Sequence, residues 1–234
     1  MLKLIKLEWK KNQIGKYIRG AVIMAGLLLL FVFALAFLGI ANDPDGTLDA
    51  APGTEVISAP IELFTSMAFL IYTSVMLASF IVSAYKNKTM NLMFSYPIKR
   101  QKLLASQMMA VWLFNVTALT FTKLLIYSCI FITAGFMDSS FVIDFQIGSF
   151  GFYIQLILKS AVIVSMSFIA LFVGMAMKSS KATMVTSFLL IFLTQANIGD
   201  FTMAGNALFP AILTVISVVF AILAVYHVED KDLI

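Results

Sequence analysis

The chain has 234 residues, 61% of them hydrophobic and only 12% charged, with a formal net charge of +4 and a mean hydropathy of +0.99. A soluble domain of this length is about 25% charged, so the composition excludes a soluble catalytic domain, leaves no nucleic acid among the expected partners, and describes an integral membrane protein. The single cysteine, Cys129, excludes a disulfide within the chain.

All Lys and Arg residues except Lys123 and Lys159 fall in four short stretches: residues 1–19, residues 85–104, the pair Lys178 and Lys181, and Lys231 in the C-terminal tail. The segments 41–62, 137–154 and 199–207 carry no Lys or Arg, but hold Asp43, Asp45, Asp49, Glu55, Glu62, Asp138, Asp144 and Asp200. Short loops rich in Lys and Arg stay on the cytoplasmic side. The alternation therefore predicts an all-α membrane protein of six transmembrane helices, with both termini cytoplasmic, in the cytoplasmic membrane. About 20 apolar residues are needed per crossing, and the runs that meet this are 20–40, 63–84, 103–136, 153–177, 182–197 and 208–228. Together they make 1–234 a single transmembrane domain.

Residues 1–19 read as an interfacial helix. Lys3, Lys6 and Lys10 follow helical spacing and form one stripe, with Leu2, Ile5 and Trp9 on one side and Leu4, Leu7, Ile14 and Ile18 on the other. Trp9 and Tyr17 belong at headgroup level, and the helix would lie along the lipid of the inner leaflet. The alternative is a basic flank that only orients the first span. That span, about 20 apolar residues, exceeds the 7–15 of a signal peptide and reads as an uncleaved anchor.

The most specific sequence lies between spans two and three. It runs from Tyr85 through Lys86, Lys88, Thr89, Met90, Leu92, Met93, Phe94, Tyr96, Pro97, Lys99 and Arg100 to Leu103 and Leu104. Met90, Met93 and Phe94 share one helical face, and Pro97 disfavours helix at Tyr96. About twenty residues are more than a reversal of the chain needs, and apolar side chains presented to the cytosol fit a docking surface. On these residues the chain resembles the permease subunits of ABC-2 type ABC transporters. Their corresponding segment commonly reads Gly-Thr-Leu, then Leu, Pro, Ser-Arg and paired Leu. Here Lys88-Thr89-Met90, Leu92, Pro97, Lys99-Arg100 and Leu103-Leu104 follow in that order, with Lys88 in place of Gly.

The resemblance implies that Lys88, Thr89, Met90, Met93, Phe94, Pro97 and Arg100 couple the chain to a cytosolic ABC ATPase. It also implies pairing with a second permease copy through spans one, two and five, which would line the conduit. Polar stripes occur in two of those spans: Thr65, Tyr72, Met76 and Ser79, and then Thr183, Ser187, Thr194 and Asn197. Ordinary helix packing also uses such Ser and Thr residues. Span four carries Ser160, Ser167, Ala170 and Gly174, small residues that admit a close neighbour.

Lys123 is the charge well inside a span. It reads either as part of the translocation path or as an inter-helix and depth-setting contact, whereas Lys159 would reach the outer headgroups. The polar run from Gln195 to Asn206, after a short fifth apolar stretch, reads as a re-entrant segment between spans five and six.

No GxxxxGK[ST] phosphate loop is present, so the chain would bind no cofactor itself, and ATP and Mg would belong to the ATPase subunit. No metal site and no catalytic residue is expected; His227 is the lone histidine. With spans so bounded no Asp or Glu lies within them, which argues against an intramembrane protease or an ion-coupled carrier. The expected function is export of a small amphipathic or antimicrobial peptide. Open alternatives are a permease for a drug, a lipid-linked sugar or sodium, a six-helix channel, and the membrane component of a vitamin importer.

Overall fold

The computed structural model describes residues 2–37, 57–83, 100–134, 148–195, 197–198, 201–202 and 208–230. Seven α-helices account for nearly all of them: α1 (Leu2–Lys11), α2 (Ile14–Phe37), α3 (Ser58–Leu77), α4 (Arg100–Ala134), α5 (Phe150–Ala176), α6 (Ser180–Gln195) and α7 (Leu208–Asp230). Four stretches are long and apolar enough to cross a membrane: Ile14–Leu35, Pro60–Val82, Gln101–Thr133 and Phe150–Ala176. The chain is a multi-pass α-helical membrane protein. Ser180–Phe192 and Ile212–Tyr226 are shorter apolar helical stretches.

The N-terminal region is two helices where one was expected over 1–19. Helix α1 ends at Lys11, Gln13 adopts a left-handed φ of 48°, and α2 opens at Ile14. Asn12 terminates α1 by donating its amide to the Glu8 carbonyl at 3.1 Å and to the Glu8 carboxylate at 3.3 Å. Lys10 and Lys11 lie in that last turn, where cations complement the helix dipole. The first span thus starts six residues earlier than the apolar run alone indicates.

Helix α3 is the most enclosed of the long helices and α2 the least. Tyr17 ties these two together: the Tyr72 hydroxyl donates to its carbonyl at 2.5 Å, and its own hydroxyl meets Ser79 Oγ at 2.8 Å. The Tyr72 hydroxyl would lie 3.1 Å from a Cβ on Gly20, so the missing side chain there admits the ring. The other face of α2, with Val22, Ile23, Leu27 and Leu30 more than 60% exposed, points away from the rest of the chain.

After Leu77, α3 continues as one π-helical turn, Ala78–Val82. Met76, Leu77, Phe80, Ile81 and Val82 pack there with Leu104, Met108 and Val111 of α4 and Phe168 and Leu171 of α5. A second cluster, nearer the start of α3, joins Ile57, Ile61 and Phe69 to Leu119, Ile126 and Ile130 of α4 and Leu156 and Val164 of α5. Helices α5 and α6 are joined by a tight turn in which Lys178 has φ 48°. They meet where Gly174 faces Thr183, so closely that an added Cβ would stand 1.9 Å from Thr183 Oγ1. Phe172 and Phe220 pack α5 on α7 at 5.0 Å between ring centres. In the link after α6, Asn197 and Ile198 pair antiparallel with Thr202 and Phe201, a two-residue ladder in the segment read as re-entrant.

Candidate functional site

The N-terminal helix docks on α4. Ile5 and Glu8 are buried, and the Trp9 indole N–H donates to the Ala110 carbonyl at 3.0 Å. Lys3, Lys6 and Lys10 are exposed together, as their spacing predicts, and Leu7 is exposed beside them. Glu8 is the unexpected member, for a carboxylate occupies the packing face. It is held by Asn12 and by Lys11 at 3.9 Å. The segment read as the coupling site runs directly into this assembly. Lys88, Thr89, Met90, Met93, Phe94 and Pro97 lie outside the described residues, and Arg100 is the first residue of α4.

Helix α4 is 35 residues long, roughly 52 Å at about 1.5 Å per residue. Lys123 lies thirteen residues, roughly 20 Å, along this helix from Ala110, the residue that Trp9 binds.

At Lys123 the structure corrects the sequence reading in one decisive respect. Lys123 is fully buried, and its ammonium donates to Glu62 Oε2 at 2.6 Å. Glu62 is not in a loop. Helix α3 begins at Ser58, with Pro60 tolerated in its first turn, so the carboxylate belongs to the membrane-crossing stretch Pro60–Val82. The expectation that no Asp or Glu lies in a span therefore fails, and Lys123 makes a contact between α4 and α3. The second carboxylate oxygen, Oε1, faces the Lys159 ammonium of α5 at 3.7 Å and the Tyr127 hydroxyl at 3.5 Å. Lys159 thus reaches back to Glu62 across the α3–α5 boundary, which the headgroup reading did not foresee. Phe152 covers Tyr127 edge-on at 5.2 Å. One carboxylate on α3 holds two ammonium groups, one from α4 and one from α5.

The residues of the two polar stripes are placed as follows. Thr65 is buried and its hydroxyl returns to the Ile61 carbonyl at 2.6 Å. Tyr72 and Ser79 bind Tyr17 of α2 within the same chain. Met76 is buried, its sulfur accepting from the Asn115 amide at 3.3 Å. Thr183 and Ser187 are buried, Thr183 against Gly174. Thr194 falls in α6 and Asn197 in the short ladder. Buried polar atoms without a hydrogen-bond partner occur on α3, α4 and α6: Ser74 Oγ, both amide atoms of Gln107, Asn115 Oδ1 and Thr183 Oγ1. Gln107 and Asn115 are two turns apart on one face of α4 and were not singled out in the sequence. No group of three or more metal-ligating side chains occurs among the described residues.

No family model matches the chain, and no solved structure matches it. A Bacillus subtilis (strain 168) protein described as uncharacterized protein YcbO is 28% identical over 237 residues, spanning 99% of this chain and 100% of that protein. The similarity extends over the whole membrane domain.

Proposed function

We propose that this chain is the membrane subunit of an ABC-2 type exporter, with six spans, both ends cytoplasmic and a second permease copy as partner. A separate cytosolic ATPase, holding ATP and Mg, supplies the energy. The observation that carries the reading is the sequence of segment 88–104, with Met90, Met93 and Phe94 at helical spacing and Pro97 after them, ahead of the start of α4 at Arg100. Helix α1 is fastened to α4 ten residues beyond Arg100 through Trp9 and Ala110. A push from the ATPase on residues 86–100 would therefore bear on α4 and α1 as one body. The 14 Met and 22 Phe residues suit adaptable apolar contact, and acidic outer loops favour the departure of a cationic amphipathic peptide.

An ion-coupled carrier also keeps a carboxylate inside a span. Glu62 has one oxygen bound by Lys123 and the other facing Lys159, which leaves it poorly suited to exchange a transported ion.

The coupling reading is tested with the Met93→Ala/Phe94→Ala double variant. Truncating a buried anchor of this kind costs 2 kcal/mol or more of binding, so recovery of the ATPase with the tagged permease should fall at least about thirtyfold in affinity, with loss of transport. Full retention of both would place the docking surface elsewhere.

A further inference from the structure

We propose that Lys159, backed by the Glu62–Lys123 pair, forms a headgroup site for an acidic glycerophospholipid, at the end of the helix bundle away from α1. The charge balance carries this. Two ammonium groups share one carboxylate, and among the described residues no other acidic group pairs with either lysine. Counted over the described residues, the cluster therefore keeps one net positive charge, which is costly within a membrane-crossing helix. Lys123 already holds Glu62 at hydrogen-bond distance, whereas Lys159 stands off at 3.7 Å, too far to donate. The Lys159 ammonium has donors left to give.

Its position says to whom. The Lys159 side chain is 58% exposed, and Ile154, Ile157 and Leu158 around it are 44%, 50% and 59% exposed. This is an apolar surface on the outside of a membrane-crossing helix, so its neighbour is lipid. A lysine stem there lies along the helix and lifts its charge toward the headgroups. Gln155, one turn nearer the start of α5 and on the same face, is also exposed and offers an amide donor on the way. A phosphodiester reached by Lys159 and Gln155 would supply the missing negative charge. A zwitterionic lipid brings its own cation and leaves the cluster uncompensated, so an acidic headgroup is required. The proposal does not depend on the transport reading.

The test uses the full chain, delipidated in a neutral detergent and titrated with phosphatidylglycerol, phosphatidylcholine or inorganic phosphate, binding being followed by native mass spectrometry and thermal unfolding. The wild-type chain should bind phosphatidylglycerol more tightly than phosphatidylcholine. Lys159→Gln should weaken the former about fivefold, while its unfolding temperature without lipid stays near wild type, since the side chain is exposed. The basic face of α1 is a second source of acidic-lipid binding, so the comparison is repeated in a Lys3→Gln/Lys6→Gln/Lys10→Gln background, where the Lys159-dependent fivefold should persist. Equal binding by Lys159→Gln and wild type in that background overturns the site. Equal affinity for the two lipids overturns the requirement for net charge. The same stabilisation by inorganic phosphate alone overturns the assignment to lipid.

Discussion

Lys123 and Glu62 form the contact on which single substitutions should act most strongly. Removing one partner of a buried ion pair leaves the other charge unsatisfied, at a cost of about 3–5 kcal/mol. Because the Glu62 side chain is 24% exposed, the lower end applies. Lys123→Met and Glu62→Gln should each destabilise the folded chain in detergent by about 3 kcal/mol, and the double variant by clearly less than the sum. Additive losses in thermal unfolding would show that the pair does not couple α3 to α4. Trp9→Phe makes a smaller prediction. It keeps the ring but removes the hydrogen bond to Ala110, costing about 1 kcal/mol, and should raise hydrogen exchange in α1 while sparing α3. The charge on Lys123 was legible in the sequence, but its partner was not, because hydropathy placed the boundary of the span at Leu63. The missed signal was local: Ser58 and Pro60 mark a helix start, and a helix opened there carries Glu62 inward. Glu8 was not legible either, since nothing in the spacing of the lysines reveals that a carboxylate lies on the packed face.

At the level of helices, α5 and α6 approach closely at Gly174. Gly174→Ala would set its methyl 1.9 Å from Thr183 Oγ1 and 3.1 Å from Thr183 Cβ, forcing the helices apart. Overpacking of this kind costs about 1–3 kcal/mol. Thr183→Ala in the same background removes the hydroxyl contact and should restore part of the lost unfolding temperature. If Gly174→Ala is as stable as wild type, the two helices are not in contact there. The small-residue stripe through Ser160, Ser167 and Gly174 showed in the sequence that α5 admits a close neighbour. Which helix would fill it was not visible, since spacing gives a face and not its occupant. The break between α1 and α2 was hidden for a different reason. It is made by Gln13 with a positive φ and by the Asn12 amide, with no proline at the break to announce it.

Over the whole molecule, long continuous apolar runs made the helical membrane class readable directly, and four of them appear as helices of spanning length. The shorter α6 and the apolar stretch of α7 are where composition alone stops deciding, because sixteen residues make about 24 Å of helix, less than a core of about 30 Å. The six-span arrangement is checked by single cysteines in a Cys129→Ser background. Probes at Asp49 and Asp144 should react from outside, and probes at Lys88 and Lys178 only from the cytosol; outside labelling at position 88 would break the topology. The segment proposed for coupling, Met90, Met93, Phe94 and Pro97 in order ahead of α4, rests on sequence alone, since these four residues lie outside the described ones. The most direct measurement purifies the tagged chain from its native membranes and follows ATP hydrolysis in the isolated complex. The account predicts a stoichiometric subunit carrying a phosphate-binding loop, with hydrolysis that depends on Met93 and Phe94. Transport persisting in vesicles that hold this chain alone, without ATP, would contradict it.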